Sequence, residues 1–260
     1  MSTLLRIDTS IRADASVTRA IGDTLQSSWL AANPGGTVVR RDLAVDPIPT
    51  PAWSNAVAAA QTDEAQRTPT QRAALALAAA VADEVLAADL IVVGAPLYNY
   101  GVSAHLKTWI DLLLADARFA PGTAALTGRP LALVVARGGG YGPGTPREGW
   151  DYTTPYLMRI FAEVMGADVT LVDTELTLAE HNPAMEPLRP LAAQRLGPAR
   201  RCAPARRRGR ARAREGRRHG LISEGPARSS AATARAPAPP RRGGPRPARP
   251  GTTAGPARAR

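Results

Sequence analysis

The chain alternates between short apolar runs and longer stretches whose apolar residues recur every three or four positions. Leu4-Leu5-Arg6-Ile7-Asp8 is a short strand candidate ending at Thr9-Ser10. Val17 to Leu30 has helical spacing, with Ala20, Ile21, Leu25 and Trp29 on one face. Thr37 to Asp42 predicts a second strand, set off by Pro34-Gly35-Gly36, and a Pro-rich loop follows from Asp46 to Trp53. Thr68-Pro69 opens a helix to about Ala88, with Pro at the first helical position. Leu90 to Ala95 is a continuous apolar run, the pattern of a parallel strand buried on both faces. Ser103 to Ala115 is amphipathic and helical, and Pro130 to Ala136 is a fourth strand. Thr154-Pro155 opens a helix to about Met165, and Val169 to Val172 is a fifth strand. A last helix begins at Pro187 and stops at Gly197-Pro198.

Strands interleaved with helices of this length predict an α/β fold with helices on both faces of a parallel sheet. Five strands suggest a flavodoxin-like sheet in the order 2-1-3-4-5, with right-handed crossovers.

Composition divides this picture at Gly197. Residues 1–196 hold 15 Lys+Arg against 20 Asp+Glu, and all 11 aromatic residues of the chain. Residues 197–260 hold 18 Arg against 2 Glu and are otherwise mostly Ala, Pro and Gly. The tail's +16 therefore outweighs the −5 of the first segment and alone makes the chain's net charge, +11, positive. The first segment is long enough to bury one domain's core, whereas the tail lacks the apolar side chains to offset chain entropy and is expected to be disordered. The only cysteine, Cys202, leaves no intrachain disulfide, which fits a reducing compartment. No secretory signal opens the sequence, and no run approaches the roughly 20 apolar residues of a membrane span, so a cytoplasmic protein is expected.

In an open parallel sheet, ligands bind beyond the carboxyl ends of the strands where strand order reverses. That rule selects the loops after strands one, three and four. The first carries Ser10, Ser16 and Thr18 ahead of a helix N-terminus, which suits a phosphate: amides and hydroxyls donate to it and the helix dipole attracts it. Ser16 could equally be only a helix cap. No Gly-Lys-Ser/Thr is present, so this is not a Walker loop. The second loop, Pro96-Leu97-Tyr98-Asn99-Tyr100-Gly101, sets two aromatics about an amide at a buried strand's end, which suits a planar heteroaromatic ligand. The third, Ala136-Arg137-Gly138-Gly139-Gly140-Tyr141-Gly142, allows close backbone approach with several N–H groups aimed at one edge.

PLYNYGVSAHLKTWID, at residues 96–111, resembles the signature of FMN-dependent NADH-azoreductases and related flavodoxin-like quinone reductases. Supporting matches are Ser10 with Ser16-x-Thr18, Arg41-Asp42-Leu43 before Pro47-Ile48-Pro49, Arg137-Gly138-Gly139, and Thr154-Pro155-Tyr156-Leu157. The resemblance spans roughly residues 3–195. It implies that Ser10, Ser16, Val17 and Thr18 hold the phosphate and ribityl end of a tightly bound FMN. Leu97, Tyr98, Asn99 and Tyr100 would hold its ring system, with Ala136, Arg137, Gly138 and Gly139 on the other edge. It also implies a homodimer, and two-electron transfer from NADH or NADPH through FMN to a quinone or azo compound. The flavin would carry the chemistry, so no catalytic side chain or metal is assigned, and neither His105 nor His181 receives a role. An FMN reductase or electron carrier serving a partner protein is the alternative.

Three departures stand out. Ala136 replaces the family's usual Ser, Arg118 to Thr127 is shorter than the family's aromatic loop, and the last helix is cut near Leu196. The tail has two readings, a basic arm for nucleic acid or the product of a frameshift in a GC-rich gene, and the frameshift is favoured.

Overall fold

The computed structural model describes residues 2–12 and 15–201, with backbone alone from 196 onward. Five parallel strands form one sheet: β1 (Thr3–Asp8), β2 (Thr37–Asp42), β3 (Leu90–Pro96), β4 (Pro130–Ala136) and β5 (Asp168–Thr174). Their order, β2-β1-β3-β4-β5, is the one predicted. The tail readings, including Cys202, lie outside the described residues.

Six α-helices connect the strands or follow them among the described residues: α1 (Val17–Ala32), α2 (Pro51–Ala60), α3 (Pro69–Ala87), α4 (Ala104–Leu113), α5 (Thr153–Met158) and α6 (Arg189–Arg201). Their starts are written in the sequence. The Ser16 side chain caps α1 by accepting from Arg19 N–H, and the Ser103 side chain caps α4 by accepting from Leu106 N–H. Thr68 and Gln71 form a reciprocal capping box at α3, with Pro69 at the first helical position.

Two apolar layers clothe the sheet. One joins Leu5, Ile7, Ile91, Val93, Leu133 and Val135 to helical residues from α2, α3 and α4, with Leu157 of α5. Phe119 at 1% exposure is among its largest side chains, and a fully buried apolar side chain of this kind contributes about 1.5–3 kcal/mol. The other joins Leu4, Val92, Val134 and Val172 to Ile21, Leu25 and Trp29 of α1. Trp29 packs so closely over Gly36 that a Cβ there would lie 2.6 Å from its ring.

The structure corrects several expectations. Ala20 is exposed, and Thr18 and Gly22 join the buried face of α1 instead. Helix α2 lies partly in the stretch expected to be a Pro-rich loop, because Pro51 takes the first helical position where its missing N–H costs nothing. The helix expected from Thr154 to Met165 is α-helical only to Met158 and continues as a π-helical turn, Arg159–Val164. α6 runs through Gly197 and Pro198 to Arg201, past the expected stop. Gly197, lacking a Cβ, removes one of the clashes that a proline imposes on the residue before it.

Strand β1 is less apolar than its pattern suggested. Arg6, 1% exposed, lies under α1 beside Gly22 and pairs with Asp8 at 3.0 Å and with Asp23 at 2.5 Å. A buried guanidinium is tolerable only with such partners.

Candidate functional site

The loops after β1, β3 and β4 meet at the carboxyl edge of the sheet. Ser10, Ser16 and Thr18 are all buried, and Val17 is half-buried at the first position of α1. Ser16 Oγ lies 3.1 Å from Thr18 Oγ1 and also accepts from Arg19 N–H at 3.3 Å. Ser16 is thus both the cap expected of it and part of a hydroxyl cluster at a helix N-terminus, the arrangement that attracts an anion. Gly94 of β3 packs directly beside it, since a Cβ there would lie in ordinary contact, 3.5 Å from Thr18 Cβ.

Arg19 supports this loop from behind. Its guanidinium donates to the Ser10 carbonyl at 2.9 Å and clamps Asp42 with both terminal nitrogens. The Arg19 hydrogen bond holds the Asp42 carboxyl below the usual carboxylate range, outweighing the opposing effect of burial. Arg40 completes the set by pairing with Asp8 at 2.7 Å.

The loop after β3 is joined to both neighbours. The Tyr98 hydroxyl lies 3.2 Å from Ser10 Oγ and accepts from Ile11 N–H at 3.2 Å. Leu97 N–H donates to the Ala136 carbonyl at 2.9 Å. Tyr98 and Gly101 bond across a two-residue turn whose central residues, Asn99 and Tyr100, have φ of 48° and 68°. Asn tolerates this left-handed geometry, whereas Tyr seldom adopts it, and strain of this kind concentrates at functional sites. The Tyr100 ring meets Trp150 edge-on at 5.5 Å and Tyr141 at 6.4 Å, and its carbonyl accepts from Tyr152 N–H at 3.0 Å.

The glycine loop after β4 forms the far wall. Gly138 and Gly139 carbonyls accept from Leu178 and Leu176 N–H, so the wall is laced to the segment following β5. A Cβ on Gly138 would lie 2.7 Å from Leu178 Cδ1, and one on Gly139 would lie 2.7 Å from an Arg147 nitrogen. Both positions are therefore closely covered.

Ser10, Ser16, Val17, Thr18, Leu97, Tyr98, Ala136 and Gly138 border one cleft of about 140 Å³ that opens to solvent. Asn99 and Tyr100 stand at the turn beyond Tyr98 and do not border it, and Gly139 lies behind Gly138. Arg137 is also outside. Its guanidinium donates to Asp151 at 2.9 Å and to Asp173, and its Nε lies 3.5 Å from Glu175. Its N–H and carbonyl are spent on Thr174 and Thr177. Thr177 and Leu178, which the sequence pattern does not single out, do border the cleft. A signal for them exists: β5 neighbours β4, so its carboxyl-end loop reaches the same edge.

Residues 2–195 match the profile of a family described by its flavodoxin-like fold. An FMN-dependent NADH:quinone oxidoreductase of Streptomyces avermitilis is 40% identical over 194 residues, which cover 74% of this chain and 89% of that protein. A protein of the same name from Streptomyces coelicolor is 40% identical over 195 residues, covering 74% and 87%. Among solved structures, an azoreductase from Bacillus anthracis superposes with a TM-score of 0.60 at 24% identity, over 77% of this chain and 97% of that one. That likeness speaks to the fold. The fold and the sequence comparisons agree, and the chain belongs to the Flavodoxin_2 family of flavodoxin-like proteins.

Proposed function

We propose that the chain is an FMN-dependent oxidoreductase passing two electrons from NADH or NADPH to quinones and aromatic azo compounds. The observation that carries this reading is the convergence of three loops on one cleft with chemically distinct ends. The names of the 40%-identical relatives support it.

The residues present fit a flavin mononucleotide. Buried hydroxyls of Ser10, Ser16 and Thr18 at the α1 N-terminus suit its phosphate, and Val17 borders the same end. Leu97 and Tyr98 offer an apolar edge to a planar ring, and the Asn99–Tyr100 turn lies alongside. Ala136 and Gly138 form the opposite wall, with Arg137 and Gly139 acting from behind it. When bound, the flavin supplies hydride and electron transfer; the protein supplies position, electrostatics and a slot for alternating substrates.

A second copy of the chain is the proposed partner, pairing near the mouth. Three exposed aromatics there, Tyr100 at 40%, Trp150 at 49% and Tyr152 at 65%, support an occupied surface. No described helix is long and apolar enough to cross a membrane, and a cytoplasmic location is proposed. The proposed domain is residues 1–196. Residues 197–260 are proposed to be a frameshift product, supported by the family match ending at 195 where composition changes.

The test is the purified full chain. A yellow flavin spectrum, bleached by NADH and restored by a quinone, is expected. A colourless protein that gains no absorbance with added FMN would sink the reading, and tight flavin without quinone turnover would favour an electron carrier.

A further inference from the structure

Glu175 stands one residue beyond β5 with 3% exposure, and nothing in the proposed chemistry uses it. Its carboxylate nevertheless joins three parts of the molecule. Oε1 accepts from Tyr141 N–H at 3.0 Å, in the glycine loop that walls the cleft. The same oxygen lies 3.5 Å from Arg137 Nε, at the end of β4. Oε2 pairs with Arg195, which reaches in from α6. Arg137 extends the group to Asp151 and Asp173, and Asp151 accepts from Thr153 and Thr154 N–H at 2.9 and 3.0 Å at the start of α5.

This group holds two arginines and three carboxylates, so it carries one more negative than positive charge. Much of it is shielded from solvent: Arg137 is 11% exposed, Asp151 12% and Glu175 3%. Charges so placed are weakly screened and act on their neighbours over several ångströms. Without Arg137 and Arg195, Glu175 would be a buried, uncompensated anion.

Resting on the flavin reading above, we infer that Glu175 is a positioning residue that fixes the Gly138–Tyr141 wall and, with Arg195, sets the electrostatic potential felt by the bound flavin. Removing the carboxylate's charge makes the site less negative and favours flavin reduction. Removing the Arg195 cation makes it more negative and opposes reduction. A role confined to packing would loosen the wall in both variants without moving the potential in opposite directions.

The experiment measures FMN affinity and flavin midpoint potential for the full chain reconstituted with FMN, for Glu175→Gln and for Arg195→Gln. The Gln side chain keeps an acceptor for Tyr141 N–H while losing the charge. The expected result is FMN binding weakened about tenfold in Glu175→Gln, with the midpoint potential raised in that variant and lowered in Arg195→Gln. Arg195, 41% exposed at the surface end of the pair, provides the second reading if the Glu175→Gln protein does not fold. Potentials that stay unchanged, or that move in the same direction, overturn the inference. A full chain that binds no FMN overturns the flavin reading and this inference with it.

Discussion

The Ser16–Thr18 hydroxyl pair at one end of the cleft is held by local bonds, whereas the Gly138–Tyr141 wall is held by residues from across the chain. Ser16 bonds residues two and three positions away, and its hydroxyl cluster would form wherever α1 starts. The glycine wall depends on Glu175, Asp173, Asp151 and Arg195, which lie on or beside different elements. The first can be prepared by a helix cap alone, although Ser10 beside it also depends on Tyr98 and Arg19. The second exists only once β4, β5, α5 and α6 have assembled, so damage to the domain should reach the wall first.

The comparison can be broken most directly at Arg137. Arg137→Ala leaves three carboxylates without their shared cation and should destabilise the fold by about 3–5 kcal/mol, read by urea denaturation. A loss below about 1 kcal/mol, the worth of an exposed pair, would show that the wall is held by other means. At the turn between the two ends, Asn99→Ala should cost about 1 kcal/mol, because Asn tolerates the left-handed backbone better than Ala, and should weaken FMN binding. Asn99→Gly keeps the turn without the amide, so recovery of FMN affinity in that variant would assign the effect to backbone geometry alone.

Ser16→Ala tests the local end. Loss of the cap should cost about 1 kcal/mol, and FMN affinity should fall while the Tyr141–Glu175 wall, followed by tyrosine fluorescence, is unaffected. An equal disturbance at both ends would erase the distinction. The smallest effect expected is from acid. Asp42 has its pKa lowered by Arg19, so its contribution is complete above the unfolded value of about 3.9 and is lost as pH falls through the lower folded value. Thermal stability should therefore decline below about pH 4, and Asp42→Asn should flatten that part of the profile.

Much of the fold was legible because its signals are periodic or capped. The apolar run of β3, the Thr68-Pro69 start of α3 and the strand order all follow from local pattern and the parallel-sheet rules. Helix α2 was hidden because Pro51 reads as a loop breaker until it is seen at a first helical position. In the cleft, hydroxyls and aromatics could be located from the sheet-edge rule. The supports behind them could not: nothing about Glu175 or Arg195 in sequence says that they meet, and a buried carboxylate looks like a solvated one until its neighbours are known. Arg137 shows the same gap, since a residue within a recognisable motif turns its side chain away from the cleft.

The Tyr98 hydroxyl has a kinetic consequence. It spans the contact between loops 88 residues apart in sequence, touching Ser10 Oγ and Ile11 N–H. The floor of the cleft is thus already clamped when the chain has folded, and the entropy of ordering it is spent before any ligand arrives. Ligand capture should then proceed as a single bimolecular step whose rate rises linearly with concentration. Tyr98→Phe, which frees the two loops from each other, should add a slower closing phase after the encounter.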